Sequence, residues 1–118
     1  MEEKIDIKDL EIPNICFSLT GKDDHREEYF KKQRIERGFD DSETWSLCDT
    51  ITCFIIPRLE RFIEINSNNR YIEKYEKILV ALKLIERDDG MWIFTEEEQR
   101  QLEEGLKLFP EYFMHMWW

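Results

Sequence analysis

A group of carboxylates in the middle of the chain offers the residue types that bind metal ions. Its members are Asp40, Asp41, Glu43 and Asp49, and both Mg²⁺ and Ca²⁺ prefer oxygen ligands. The group lacks the glycine and the closing glutamate that a calcium loop requires at fixed spacing. Asp40 and Asp41 directly precede a helical pattern, where a side-chain oxygen accepts hydrogen bonds from the first backbone N–H groups. The sequence therefore favours helix capping here and predicts no metal site.

Histidine and cysteine side chains are the next candidates for catalysis or metal binding. His25 and His115 lie on different segments, and neither has a partner at a spacing diagnostic of a catalytic triad or a zinc site. The cysteines, Cys16, Cys48 and Cys53, are odd in number and contain no C-x-x-C pair, which argues against a disulfide framework. Cys48 and Cys53 are expected to be buried as small apolar residues. The sequence predicts no catalytic residue and no cofactor, and it favours a protein that is not an enzyme.

Arginines beside a proline form a local positive cluster. Arg58 and Arg61 follow Pro57, and Arg70 lies a short way along the chain. Guanidinium groups placed in this way can bind a phosphate or a carboxylate. An alternative hypothesis is therefore a small enzyme, or a nucleotide-binding or metal-binding protein, with a site near Pro57 built from Asp49, Arg58 and Arg61. Pairing of the arginines with surplus acids of the same chain is the favoured interpretation.

The charge balance bears on which partners the protein can bind. Seventeen Lys and Arg residues against 27 Asp and Glu residues give a net charge of −10. Such a charge repels phosphate backbones and anionic lipid headgroups, so we expect no direct binding to nucleic acid or to a membrane surface. The acidic N-terminus has no apolar signal region, and no stretch approaches the ~20 apolar residues of a membrane span. The expected location is the cytoplasm.

Hydrophobic periodicity predicts a mainly α-helical fold, a compact bundle of about four helices. The chain has 118 residues, of which 42% are hydrophobic, and this size suits one domain over residues 1–118. Residues 1–22 are expected to form an extended arm, and residues 23–118 the helical core. As an alternative, the arm forms a minor β-hairpin with the apolar residues 91–94.

Start and stop signals place the four helices along the chain. The first is predicted near residues 24–37 and ends at Gly38, because glycine permits the positive φ of a helix C-terminus. The second begins at residues 40–42, and the third covers about residues 70–87. The fourth follows Thr95, which has the spacing of a capping box with Glu98.

The second helix carries an apolar stripe interrupted by a proline. The stripe is predicted to face a core, and its members are Leu47, Ile51, Phe54, Ile55, Leu59 and Phe62. Pro57 has no backbone N–H and its ring crowds the preceding turn, so the helix is predicted to kink or to restart there. Pro110 raises the same expectation of a kink in the fourth helix.

Two blocks of the chain carry a recognisable motif pattern. One is GFDDSETWSL, followed by TI and FIIPRLERF, and the other is EEGLKLFPEYF with a later MW. Together the blocks resemble a family of short hypothetical proteins of tailed bacteriophages, in which G-[FW]-x-D-x-x-T-W-x-L-D precedes T-I-A and P-R-L-K-x-F. The chain departs from this pattern at Cys48, Thr52 and Pro110, where the family usually has Asp, Ala and a helix former. The resemblance implies a phage gene as the source and the host cytoplasm as the location, without implying an activity.

Tryptophan residues and surplus acids favour a function in protein–protein interaction. The C-terminal segment FMHMWW either docks on the core or forms a partner surface, which includes association between copies of the chain. The acids either keep the protein in solution or mimic the phosphates that a basic groove binds. We therefore expect an accessory protein that binds a host or phage protein and inhibits a host defence or nucleic-acid-processing protein. The candidate partner-binding residues are Trp45, Arg58, Arg61, Glu96, Glu97, Trp117 and Trp118.

Overall fold

The structure is a computed structural model that describes residues 17–21, 23–87 and 93–117. These residues are mainly α-helical, with four α-helices and no strand among them, which confirms the predicted fold class. The predictions for residues 1–16 and 91–92, for Cys16 and for Trp118 lie outside the described residues. An N-terminal arm or β-hairpin therefore stays a prediction.

Four α-helices and two short 3-10 helices follow one another along the chain. They are α1 (Glu27–Arg37), a 3-10 helix (Asp41–Thr44), α2 (Leu47–Ile65), α3 (Ile72–Arg87), α4 (Glu96–Tyr112) and a second 3-10 helix (Phe113–His115). The residues fall into two compact units, Met1–Ile51 and Thr52–Trp118, and the boundary lies within α2. That residues 1–118 form a single domain stays a prediction.

The end of α1 and the start of α4 follow the sequence signals, whereas the start of α2 does not. Gly38 has a φ of 85° and donates its backbone N–H to the carbonyl of Arg34, which ends α1 as predicted. Thr95 and Glu98 form the expected capping box at the start of α4. Asp40 and Glu43 also form a capping box, but it begins the first 3-10 helix, and α2 begins only at Leu47.

The core of the second unit is built by the later part of α2 together with α3 and α4. Its main cluster consists of Ile56, Leu59, Tyr75, Ile78, Leu82 and Leu108. A second cluster joins α3 to α4 and consists of Ala81, Leu84, Ile85 and Leu102. These residues recur at helical spacing on α3 and α4, so the amphipathic pattern of these helices produces the core directly.

The buried face of α2 differs from the predicted stripe. Its buried residues are Thr52, Ile56 and Leu59, whereas Leu47 and Phe54 are each about half exposed. Apolar residues occur on more than one side of α2. The predicted stripe, which was based on spacing alone, therefore combines residues of the buried face with residues of the exposed face. Cys48 is exposed as well, and the prediction that it would be buried is wrong.

Both internal prolines lie within continuous helices. Pro57 lies in α2 and Pro110 in α4, and neither helix restarts at its proline. Restart of the second helix at Pro57 is therefore excluded, while a kink at either proline stays a prediction.

Helices α3 and α4 approach each other closely at Gly105. A Cβ atom added at Gly105 would lie 2.3 Å from Cβ of Ala81 and 2.6 Å from the carbonyl oxygen of Lys77. The oxygen belongs to the α3 backbone and cannot turn aside as a flexible side chain would. Gly105 therefore allows α3 and α4 to approach more closely than any larger residue at this position would permit.

Replacing Gly105 with alanine is expected to lower the free energy of unfolding by about 1–3 kcal/mol, because this overpacking outweighs the higher helix propensity of alanine. Urea denaturation followed by circular dichroism measures the change. Gly21→Ala is the control, since a Cβ there meets nothing within 4 Å. A Gly105→Ala variant as stable as the control would show that the two helices can separate at little cost.

Candidate protein-binding surfaces

The backbone after α4 is anchored to the core of the second unit. The hydroxyl of Tyr75, a side chain with no exposed surface, donates a hydrogen bond of 3.0 Å to the carbonyl of His115. Burial raises the pKa of Tyr75, with smaller contributions from Tyr71 and Tyr112, which keeps this hydroxyl a donor. Met116 packs against the main core cluster. The chain after Tyr112 is therefore fixed at two successive residues.

Ring contacts reinforce this anchor. The Tyr71 ring lies 5.2 Å from the rings of both Tyr112 and His115, and the Tyr112 and His115 rings are 5.9 Å apart. Distances of this size are typical of tilted ring pairs, and a Tyr–Tyr pair of this kind adds about 0.5–1.5 kcal/mol beyond area burial. The second 3-10 helix therefore contacts Tyr71, which directly precedes α3, and Tyr112 of α4.

Large apolar side chains on this anchored segment remain exposed. We call them the C-terminal surface, whose members are Phe113, Met114 and Trp117, with exposed fractions of 58, 78 and 73%. Phe113 also lies 5.9 Å from the ring of Phe109 on α4. The sequence left open whether this segment docks on the core or forms a surface, and the described residues do both. Met116 is docked, and Trp117 is exposed.

Arginines lie on an exposed strip of α2. The Arg58 guanidinium lies 4.0 Å from the centre of the Phe54 ring and donates a 2.8 Å hydrogen bond to the Phe54 carbonyl. Arg61 pairs with Glu64 at 2.9 Å, and both side chains are about two-thirds exposed. The predicted pairing with acids therefore holds for Arg61, whereas Arg58 contacts an aromatic ring and a backbone carbonyl.

Each residue of the alternative site near Pro57 has contacts of its own, and the site itself stays a prediction. Asp49 accepts a 2.7 Å hydrogen bond from the Ser46 hydroxyl. Arg70 lies 4.8 Å from the centre of the Tyr71 ring. Within the described residues, no group of three or more His, Cys, Asp or Glu side chains is arranged to hold a metal ion.

Several acids of α4 are bound by basic residues of the same chain. Glu97 pairs with Arg100 at 2.5 Å, Glu104 pairs with Lys77 at 2.8 Å, and Glu98 pairs with Arg87. Glu96 is exposed, as is Glu97. Pairing of Glu97 and Glu98 with arginines weakens the negative potential of this helix start.

The Glu98 carboxylate links helix capping to pH. The hydrogen bond from Arg87, followed by that from the Thr95 N–H, lowers the pKa of Glu98 from 4.5 to about 2. A depressed pKa stabilises the fold above the unfolded-state pKa, and this stabilisation is lost as the pH falls through 4.5 towards 2.

Replacing Arg87 with glutamine is expected to reduce the stability lost between about pH 6 and pH 3, since less of the pKa depression remains. Urea denaturation at the two pH values measures the loss. Lys107→Gln, which removes one positive charge from α4, serves as the control. Equal pH dependence of the two variants would contradict a role for the Arg87 pair.

The first unit contains a polar network that sequence reasoning missed. Arg34 is fully buried and pairs with Asp40 at 2.6 Å and with Glu27. Asp40 also accepts hydrogen bonds from the backbone N–H and the hydroxyl of Ser42, at 2.8 and 2.5 Å. The Ser42 hydroxyl in turn accepts the backbone N–H of Leu19 at 2.9 Å. Arg34 has the helical spacing of an ordinary surface residue, so the sequence carried no signal of its burial.

Trp45 belongs to the same unit and is half exposed. Its ring lies 6.0 Å from the Phe30 ring and 4.8 Å from the guanidinium carbon of Arg26. Phe30 is buried, and Trp45 covers part of its ring. This contact accounts for Trp45 as a packing residue that retains an exposed edge.

A shallow cleft between α3 and α4 offers little room for a ligand. It has a volume of about 120 Å³ and is lined by Lys77, Val80, Arg100, Gln101 and Glu104. Small-molecule sites typically enclose ~300–1,000 Å³, and three of these side chains already pair with one another. The helices of the described residues include none with the length and apolar content of a membrane span.

Comparisons of the chain with family models, curated proteins and solved structures find no match.

Proposed function

We propose that this protein acts by binding another protein through its C-terminal surface. The observation that carries the proposal is the combination of a fixed backbone with exposed side chains. Tyr75 and Met116 hold the segment in place, while Phe113, Met114 and Trp117 stay more than half exposed. Exposed aromatic residues are typical centres of protein interfaces, and a fixed backbone reduces the entropy lost on binding.

The proposed partner is a basic protein of a bacterial host, and the proposed role is that of a tailed-phage accessory protein that inhibits it. The net charge of −10 supports a basic partner, because long-range attraction speeds the association of oppositely charged proteins. The resemblance of the GFDDSETWSL and FIIPRLERF blocks to phage proteins supports the source. The proposed target is a host protein that processes nucleic acid or acts in defence. An acidic protein can inhibit such a protein by occupying the basic groove that binds nucleic acid.

The proposal is tested by affinity capture from a bacterial lysate, followed by titration of the purified partner in a calorimeter. Trp117→Ala is expected to weaken binding by tenfold or more, as removal of a central interface tryptophan does. Tyr29→Ala is the matched control, because Tyr29 is an exposed aromatic residue of the first unit, 61% exposed. Equal affinity of the Trp117→Ala and control variants would exclude the C-terminal surface as the binding site.

Salt dependence tests the charge of the partner separately. Affinity for a basic partner is expected to fall as the salt concentration rises from about 50 to 500 mM, since ions screen exposed charges. Binding that depends on Trp117 but not on salt would support the C-terminal surface as the binding site and would contradict the proposal that the partner is basic.

A further inference from the structure

Helix α2 presents a mixed apolar and basic strip on the side opposite its buried face. We call the residues Phe54, Arg58, Arg61 and Ile65 the α2 strip; they follow one another at steps of four, three and four. Ile56 and Leu59 face the core of the same unit, whereas Phe54 and Ile65 are 48 and 43% exposed. The strip extends for about 16 Å along the helix, or three helical turns.

The charge of the strip is opposite to that of the chain. Two arginines lie on it, and Glu64 beside it pairs with Arg61. Arg58 forms no ion pair with any residue in the described part of the chain. In a protein with a net charge of −10, surplus acids would readily cover an arginine, yet Arg58 is instead stacked on Phe54. Stacking holds the planar guanidinium in one orientation, which favours recognition of a carboxylate.

Apolar and basic groups together restrict what can cover the strip. A second copy of this chain, placed on a two-fold axis through the strip, would set arginines against arginines, and such like-charge contacts disfavour binding. Nucleic acid is repelled by the net charge of −10. A helix with carboxylates on one side of an apolar ridge complements both the charge and the apolar residues.

We propose that the α2 strip is a docking site for an acidic amphipathic helix of a partner protein. Carboxylates of that helix pair with the guanidinium groups of Arg58 and Arg61, and its apolar ridge covers Phe54 and Ile65. This site is additional to the C-terminal surface, so its test does not depend on the partner proposed for that surface.

The test is an NMR titration of the isotope-labelled full chain with synthetic helical peptides of 18 residues. The first peptide places Glu beside a Leu ridge, the second replaces each Glu with Lys, and the third replaces each Leu with Ser. The proposal expects amide shifts confined to residues 54–65 with the first peptide and at least tenfold weaker binding of the other two. Equal binding of the Lys peptide, or shifts centred elsewhere in the chain, would overturn it.

A variant pair locates the effect on the two arginines. Arg58→Gln combined with Arg61→Gln is expected to weaken binding of the Glu peptide at least tenfold, while Arg70→Gln leaves it unchanged. Arg70 is a matched control, because it too lies over an aromatic ring, that of Tyr71. Loss of binding in both variants would show that the peptide responds to positive charge in general, and it would overturn the α2 strip as the docking site. A single-stranded oligonucleotide that shifts residues 54–65 as strongly as the Glu peptide would also overturn it.

Discussion

Replacing Arg34 with methionine is expected to lower the free energy of unfolding by about 3–5 kcal/mol, because removing one partner of a buried ion pair leaves the other charge uncompensated. The partner here is Asp40, which has no exposed surface, and Glu27 loses the same contact. Methionine fills much of the volume of the arginine stem, so the loss reports on charge more than on packing.

The electrostatics of Asp40 explain why the change is costly. Burial raises the pKa of Asp40, whereas hydrogen bonds from Ser42, Ser18 and Arg34 lower it. The hydrogen bonds outweigh burial, so the pKa lies below its ordinary value. Burial also disfavours the charged form of Arg34 and lowers its pKa. The hydrogen bonds of Arg34 to Asp40 and Glu27 outweigh this effect and raise its pKa above the ordinary value. Both groups therefore stay charged in the folded protein, and each depends on the other.

Hydrogen exchange measures this prediction at the site itself. The backbone N–H of Ser42 is bonded to Asp40, so its exchange should accelerate in Arg34→Met as the first unit becomes less stable. Arg37→Met is the control, because Arg37 and Asp41 form an exposed pair of the kind that contributes less than about 1 kcal/mol. Similar exchange rates in the two variants would show that the buried network contributes no more than a surface pair.

Replacing Leu59 with alanine is expected to cost about 2–5 kcal/mol, the range for creating a cavity at a buried leucine. Leu59 is 4% exposed and belongs to the cluster with Tyr75 and Ile78 in the second unit. Leu47→Ala is a control of the same residue type in the same helix, but Leu47 is 55% exposed and its replacement should change stability by less than about 0.5 kcal/mol.

Urea denaturation followed by circular dichroism gives the two free energies, provided that the slope of the transition stays constant between variants. The comparison tests which face of α2 is buried. A loss below about 1 kcal/mol for Leu59→Ala, or an equal loss for Leu47→Ala, would mean that the core side of this helix is wrongly identified.

The candidate site was accessible to sequence reasoning only in part. Composition and position singled out Trp117 as a residue that is costly to leave in water, and the structure shows it exposed. The same reasoning gave Glu97 as a partner-binding residue, yet its carboxylate is bound by Arg100. Aromatic surplus is visible in a sequence, whereas side-chain pairing depends on which groups the fold brings within hydrogen-bond distance.

The sequence by itself determined the local structure of this protein. Helix type follows from apolar periodicity, and the ends at Gly38 and Thr95 follow from backbone conformation and capping, which involve residues within one helical turn. Only the tertiary structure decided which side of α2 is buried, that Arg34 lies inside a polar network and that Tyr75 anchors the C-terminal segment. Each of these features depends on contacts between residues far apart in sequence. Hydrophobic periodicity predicts that a helix has an apolar face, but it does not identify the residues that pack against that face.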